Sequence, residues 1–177
     1  MTVVDLRRLT RRDDLSAVEA LLAAYGAAVA ERAQREYGLV LAELAPGADL
    51  LTEIEPLLDA PNVLYVAEVD GQASATGALR HLGDGVGEIK RMYVEPAARR
   101  RGIGRAVLSA LIGDAQRAGL TRLRLETAPW MAEAHGLYAS AGFVDHDPYA
   151  GREFDGIAAV DGIARFMELR LPQPEPL

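Results

Sequence analysis

Residues 94–105 combine features of a binding site for a phosphorylated ligand. A strand-like segment ends before Pro96, a basic loop with two glycines follows, and then a helix begins. The first turn of a helix leaves backbone N–H groups without partners and carries partial positive charge. Gly102 and Gly104 have no Cβ, so a bulky anion can approach the backbone closely. The same turn is surrounded by four arginines: Arg99, Arg100, Arg101 and Arg105. The segment therefore predicts a phosphate or pyrophosphate site.

Two other interpretations of this loop remain open. It could be a solvated basic helix start, but the local positive charge contrasts with a formal net charge of −7 for the whole chain. It could instead be a dinucleotide site, for which Glu126 is placed as the ribose-binding acid. Two departures from the dinucleotide motif G-x-G-x-x-G count against this site. Its third glycine is replaced by Val107, and residues 95–101 separate the glycines from the strand that they should follow directly. The dinucleotide site is therefore the less favoured of the two anion sites.

The motifs around this loop resemble the Gcn5-related N-acetyltransferase (GNAT) superfamily. The spacing Arg99-x-x-Gly102-x-Gly104 is similar to its acyl-CoA loop, R/Q-x-x-G-x-G/A. EIKRMYVEP before the loop and LRLET after it resemble the central strand and the next one, and AHGLYASAGF resembles the A-x-x-L-Y-x-x-x-G-F helix. The resemblance covers residues 88–143. It implies a single GNAT-like domain over residues 1–171, acetyl-CoA as acyl donor, no metal and a homodimer.

The resemblance also assigns roles to the strand and the loop. It implies that the central strand splays from its neighbour and that its main chain at Met92, Tyr93 and Val94 binds the pantetheine arm. The Val94 N–H would polarise the thioester carbonyl. The backbone N–H groups of seven consecutive residues would hold the pyrophosphate: Arg99, Arg100, Arg101, Gly102, Ile103, Gly104 and Arg105.

Tyr138 matches the family tyrosine that donates a proton to the leaving thiolate of coenzyme A. A phenol with a pKa of about 10 is protonated at neutral pH, and a thiolate with a pKa of about 8.5 can accept from it. The alternative is a helix tyrosine that is half-buried against the sheet.

Direct attack of an amine on acetyl-CoA requires a base, because an alkylammonium must first lose a proton. Glu88 is the first choice. Strand alternation places it on the same face as Lys90, Met92 and Val94. The alternative is that Glu88 only pairs with Lys90 or a nearby arginine.

Other residues are weaker candidates for the acceptor side. Glu126 is the second candidate base, at a strand end beside the expected cleft, and His81 is the third. Trp130 could line the acceptor pocket, cover coenzyme A or pack as a surface aromatic. The connection 150–163 is longer than a tight hairpin needs, and long loops near a site often shape substrate choice.

The elements that position these residues alternate in type along the chain. The predicted order is β-α-α-β-β-β-α-β-α-β-β. It predicts an α/β fold with a mixed, mostly antiparallel central sheet and helices on both faces. A helix to about Tyr37 with Gly38 as its cap, a helix over Asp49–Asp59 and a strand over Phe143–Tyr149 belong to this order. Residues 172–177 are Pro-rich and expected to be disordered.

Composition excludes several function classes. The chain has 177 residues, no cysteine and three histidines, so neither a thiol nucleophile nor a metal site is expected. Its net charge of −7 argues against nucleic acid or an anionic membrane as partner and favours a cationic small substrate. No run reaches the roughly 20 apolar residues of a membrane span, and a cytoplasmic location is expected.

The sequence therefore predicts an N-acetyltransferase that moves an acetyl group from acetyl-CoA to a primary amine, most simply of a small molecule, in a ternary complex. A peptide N-terminus and a lysine are other acceptors. Two other functions remain as alternatives: a non-catalytic acyl-CoA sensor and a dinucleotide-dependent oxidoreductase.

Overall fold

The computed structural model of the protein describes residues 4–44, 54–152 and 158–172. Strands and helices alternate along the chain with short 3₁₀ turns at Glu55–Leu58 and Pro96–Ala98. In chain order the elements are β1 (Val4–Arg8), α1 (Ser16–Tyr37), α2 (Leu41–Leu44), β2 (Val63–Val69), β3 (Gln72–Gly83), β4 (Val86–Val94), α3 (Ile103–Arg117), β5 (Arg122–Thr127), α4 (Ala132–Ser140), β6 (Val144–His146), α5 (Ala158–Asp161) and β7 (Arg165–Arg170).

The strands form one sheet in the order β1-β2-β3-β4-β5-β7-β6. All neighbouring strands are antiparallel except β4 and β5, which run parallel. A parallel pair needs a crossover connection, and α3 lies in the segment between these two strands. The predicted mixed, mostly antiparallel sheet is confirmed.

Both faces of the sheet are covered by apolar side chains. Leu79 and Ile89 belong to a cluster with Leu108 and Leu111 of α3. A second cluster joins residues of β2–β4 to α1. Helix α1 ends at Gly38, as predicted, because its φ of 67° lets its N–H bond back to the last turn.

Strand β4 contains a β-bulge at Arg91. Lys90 pairs with Ala78 and Tyr93 pairs with Thr76, so β4 uses two intervening residues where β3 uses one. Arg91 has a φ of 55°, in the left-handed region. An extra residue of this kind bends the strand and changes which face the following side chains occupy.

The bulge corrects the predicted face of the central strand. Ile89, Met92 and Val94 all pack against the cluster on the α3 face. Glu88 and Lys90 flank Ile89 and therefore lie on the opposite face, the one covered by α1. The prediction that Glu88 shares a face with Met92 and Val94 was wrong, because alternation is interrupted between Lys90 and Met92.

Strands β4 and β5 separate part-way along their length. Their parallel pairing ends at Glu88 and Arg124, although β4 continues to Val94 and β5 to Thr127. The predicted splay of the central strand is therefore present. It leaves the second half of β4 without a strand partner on the β5 side.

Two predicted elements differ at the end of the chain. The strand predicted over Phe143–Tyr149 ends at His146, because Pro148 has no N–H to continue a ladder. The short helix α5 lies within the predicted connection 150–163, of which residues 153–157 lie outside the described part.

Two further predictions fall partly outside the described residues. The helix predicted over Asp49–Asp59 is represented by the 3₁₀ turn Glu55–Leu58. Residues 49–53 of that helix, and residues 173–177 of the predicted tail, are outside the described residues.

Gly77 of β3 lies opposite the bulge, and any larger residue there would force neighbouring side chains to move. A Cβ on Gly77 would lie 2.5 Å from Met92 Sδ and 2.7 Å from Val107 Cγ1. We expect Gly77→Ala to lower the free energy of unfolding by about 1–2 kcal/mol. The matched control is Gly136→Ala in α4, where a Cβ meets nothing within 4 Å. Thermal unfolding checks both, and equal melting temperatures would contradict this packing.

Candidate active site

A cleft of about 210 Å³ lies where β4 and β5 separate. Its lining includes residues 88–92 of β4 and residues 126–131 at the end of β5. Residues of α1, α2 and α4, together with Val160, Ile163 and Ala164, complete the walls. The cleft thus opens where the pairing of β4 and β5 ends.

Tyr138 lines the cleft from helix α4. The side chain is buried, and its ring packs against Phe143 with ring centroids 5.8 Å apart. Burial raises the pKa of the Tyr138 phenol, and Tyr25 raises it further. The phenol is therefore a neutral hydrogen-bond donor at neutral pH. Tyr138 is more deeply buried than the alternative of a half-buried helix tyrosine predicted.

Glu88 lies at the point where the two strands separate and lines the cleft, although only 2% of the residue is exposed. Its Oε2 lies 2.6 Å from Arg80 Nη2 and accepts a hydrogen bond of 2.9 Å from Arg80 Nε. Lys90 Nζ is 3.8 Å from the same oxygen. Oε1 accepts a hydrogen bond of 2.9 Å from the Tyr149 hydroxyl. The alternative that Glu88 pairs with Lys90 and an arginine is thus present in the structure, at the cleft.

The other candidate bases occupy different surroundings. Glu126 lines the cleft opposite β4, and its Oε2 is 3.8 Å from Arg152 Nε. His81 is not part of the lining, and burial lowers the pKa of its ring. Trp130 lines the cleft and packs at a tilt against Tyr37, with ring centroids 5.1 Å apart, so its indole forms part of the wall.

The basic loop is attached to the end of β4. Arg99 Nε donates a hydrogen bond of 3.1 Å to the Val94 carbonyl. Helix α3 begins at Ile103 after Gly102, and no described side chain caps this start. The side chains of Arg100 and Arg105 are exposed around it. The structure therefore places an uncapped helix start with basic side chains next to the strand that leads into the cleft.

A comparison with known protein families decides the classification. The sequence pattern of the acetyltransferase (GNAT) family matches residues 26–143, which include the loop, β4, β5 and Tyr138. The chain belongs to the GNAT acetyltransferase family. The enzyme class predicted from the motifs is confirmed.

Relatives of this GNAT chain agree with that assignment. A protein of Azospirillum brasilense named IAA acetyltransferase is 34% identical over 130 residues, which cover 72% of this chain and 81% of the relative. A putative acyl-CoA N-acyltransferase of Klebsiella pneumoniae has a similar fold, with a TM-score of 0.67, 23% identity and coverage of 96% of this chain and 99% of that one. The structure of yncA, a putative acetyltransferase of Salmonella typhimurium solved with acetyl-CoA, has a TM-score of 0.64 at 20% identity and covers 99% of this chain and 98% of that one. The likeness to the two structures supports the GNAT fold.

GNAT enzymes use acetyl-CoA, and the loop of this chain fits a pyrophosphate group. Gly102 has a φ of 81°, and a Cβ there would meet nothing within 4 Å, so the space in front of the helix start is open. Gly104 differs, because a Cβ there would lie 3.3 Å from Val94 Cγ2 and 3.5 Å from Leu137 Cδ2. The missing side chain at Gly104 therefore allows α3 to pack closely on β4 and α4, a role that the sequence did not indicate.

The three strand residues of the GNAT motif have distinct positions. Met92 lines the cleft. Tyr93 packs against Tyr25 on the α1 face, with ring centroids 5.6 Å apart. Val94 lies between the cleft and the loop, where its side chain contacts the α3 face and its carbonyl accepts from Arg99. Main chain from Met92 to Val94 thus connects the basic loop to the cleft.

Sequence reasoning missed the residues that surround Glu88. Arg80 was not singled out, although a hairpin turn at residues 83–85 places it opposite Glu88 in the register. Tyr149 and Arg152 lie after β6 and approach the cleft only through the tertiary fold. No local sequence signal points to either.

None of the helices in the described part of the chain has the length and apolar character that crossing a membrane requires.

Proposed function

We propose that this GNAT enzyme transfers an acetyl group from acetyl-CoA to the primary amine of a small molecule, by direct attack in a ternary complex. The observation that carries the proposal is the cleft at the separation of β4 and β5, with Tyr138 and Glu88 both in its lining. The net charge of −7 favours the approach of a cation.

The donor would be held by main chain. In the proposed complex the backbone N–H groups of residues 99–105 bind the pyrophosphate, and main chain at Met92, Tyr93 and Val94 binds the pantetheine arm. Acetyl-CoA supplies a thioester that an amine can attack directly. The Val94 N–H would donate to the thioester oxygen, where negative charge develops.

Tyr138 and Glu88 would move the two protons of the reaction. Glu88 accepts the proton of the ammonium group, directly or through water, so that the free amine attacks. Tyr138 donates its proton to the thiolate as the carbon–sulfur bond breaks. The phenolate regains a proton from the acylated nitrogen, which must lose a second proton to become the amide. Glu126, on the other side of the cleft, is the alternative base. Variants of both glutamates distinguish the two assignments.

The basic side chains at the helix start give a separate prediction about donor binding. Arg100 is exposed beside Gly102, and we expect Arg100→Gln to raise the Kd of coenzyme A about three- to tenfold, because a charge-assisted contact to phosphate is lost. The effect should shrink as salt rises. The matched control is Arg117→Gln at the other end of α3, where Arg117 pairs with Asp114. Calorimetric titration measures both, and equal Kd values would contradict the assigned loop.

The function itself is tested by incubating the protein with acetyl-CoA and a panel of primary amines. Release of free thiol together with an equal amount of acetylated amine is the expected result. Tight binding of acetyl-CoA without turnover across the panel would favour an acyl-CoA sensor. Saturable binding of NADH, with no binding of coenzyme A, would favour a dinucleotide enzyme.

A further inference from the structure

Tyr149 is a buried tyrosine that follows β6 and contacts the central strand. It is 5% exposed, and its hydroxyl donates a hydrogen bond of 2.9 Å to Glu88 Oε1 across 61 residues of sequence. Arg80 binds the other carboxylate oxygen of Glu88. Each oxygen therefore has its own donor, one neutral and one charged, and the plane of the carboxylate is held from two directions.

The Tyr149 side chain is itself held firmly. Its ring packs edge-on against Phe166 with centroids 6.1 Å apart, and the Arg124 guanidinium lies 5.5 Å from its centroid. Its carbonyl accepts a hydrogen bond of 2.6 Å from Arg152 Nη1. Burial, with a further contribution from the charge of Glu88, raises the pKa of Tyr149, so the hydroxyl keeps its proton. The phenol is thus a permanent donor in one fixed position.

We propose that Tyr149 is a positioning residue that orients the Glu88 carboxylate toward the cleft for proton transfer from the acceptor amine. The inference rests on the proposed role of Glu88 as base. A carboxylate oxygen can accept more than one hydrogen bond, so Oε1 can keep the phenol and still receive a proton from the cleft side. Without the phenol, Oε1 loses the hydrogen bond from Tyr149 and the carboxylate can rotate about the contact with Arg80.

The groups around Glu88 set the direction of the pH effect. Among the described residues, Arg80 from β3, Lys90 from β4 and Arg124 from β5 are cations near Glu88, and Arg91 also lines the cleft. Glu126 is a second carboxylate in the lining, and Glu168 of β7 pairs with Arg124. Arg152 lies between Glu126 and the Tyr149 carbonyl. Tyr149→Phe leaves all of these charges in place and removes only a donor to the charged form of Glu88. The protonated form is then favoured, and the acid limb of the rate profile moves to higher pH.

Tyr149→Phe tests the inference, with Tyr65→Phe as its matched control. The Tyr65 hydroxyl also donates a 2.9 Å hydrogen bond to a carboxylate, that of Asp114 on α3, away from the cleft. We expect Tyr149→Phe to lower kcat on the order of tenfold, with the KM for the amine changed less than about twofold. Tyr65→Phe should keep the wild-type kcat and profile.

Two comparisons separate the possible failures. If Tyr149→Phe and Tyr65→Phe alter kcat and the profile alike, Tyr149 has only a structural role and the inference is overturned. If Glu88→Gln is impaired in a pH-dependent way while Tyr149→Phe behaves as wild type, the inference fails and the base stands. If Glu88→Gln shows no pH-dependent loss, the proposed base fails and the inference falls with it. If Glu88 is the base and Tyr149 acts only through it, the variant that carries both Tyr149→Phe and Glu88→Gln loses no more activity than Glu88→Gln alone.

Discussion

Tyr138→Phe should lower kcat by a factor on the order of 10² to 10³, the range expected when a proton donor is removed from a transition state. The substitution removes one oxygen from a buried ring that packs on Phe143, so the shape of the α4 wall is kept. The Kd of acetyl-CoA should stay within about twofold of the wild type, because in the proposed complex the donor is held mainly by main chain. Steady-state rates of thiol release, with calorimetry for the Kd, measure the two quantities.

The same experiment can contradict the assignment of Tyr138. A Tyr138→Phe variant with the wild-type kcat would show that the tyrosine only fills the wall of the cleft. Tyr65→Phe serves again as the control for loss of a tyrosine hydroxyl elsewhere. An unchanged circular dichroism spectrum and melting curve would confirm that the fold is intact.

Glu88→Gln should lower the rate most at low pH. Below the pKa of the acceptor amine, which is about 10 for an alkylamine, nearly all of the substrate is ammonium and needs a base. Above that pKa the free amine is present, so the ratio of wild-type to variant rates should fall from the order of 10² toward one. A rate profile between pH 6 and about 10.5 measures this trend.

Glu126→Gln is the comparison that identifies the base. Glu88→Gln also removes a carboxylate from Arg80 and Tyr149, so some loss of stability is expected and thermal unfolding must accompany the kinetics. A stability loss lowers the rate at every pH, whereas loss of a base gives a ratio that varies with pH. A flat ratio for Glu88→Gln together with a varying ratio for Glu126→Gln would assign the base to Glu126.

The local features of this fold were predictable because each depends on neighbouring residues. The end of α1 at Gly38 follows from a glycine that adopts the left-handed region. The Gly-rich basic loop and the helix after it were also correctly placed. The splay of β4 from β5 could be expected only from the resemblance to the GNAT superfamily.

The bulge in β4 was not predictable from the residues. Arg91 adopts a φ of 55° in a strand whose sequence shows no glycine at that position. The conformation is therefore imposed by the sheet, and the alternation that placed Met92 beside Glu88 fails for that reason. The residue types that predict turns, such as glycine and asparagine, are absent at this position and therefore do not indicate the bulge.

Of the contacts of Glu88, the strand register explains the one with Arg80 but not the one with Tyr149. A hairpin turn at residues 83–85 pairs Arg80 with Glu88, so this ion pair follows from counting residues outward from the turn. Tyr149 reaches the same carboxylate from beyond β6, after Pro148 has ended that strand. Contacts between distant segments depend on how the layers pack, which no local pattern specifies.

The most direct test of the proposed site is a crystal structure with bound coenzyme A. We predict electron density for the pantetheine arm between β4 and β5 beyond Glu88 and Arg124, with the sulfur near Tyr138 and the pyrophosphate at residues 99–105. Density for coenzyme A at another surface, with the gap between these strands closed, would contradict the account.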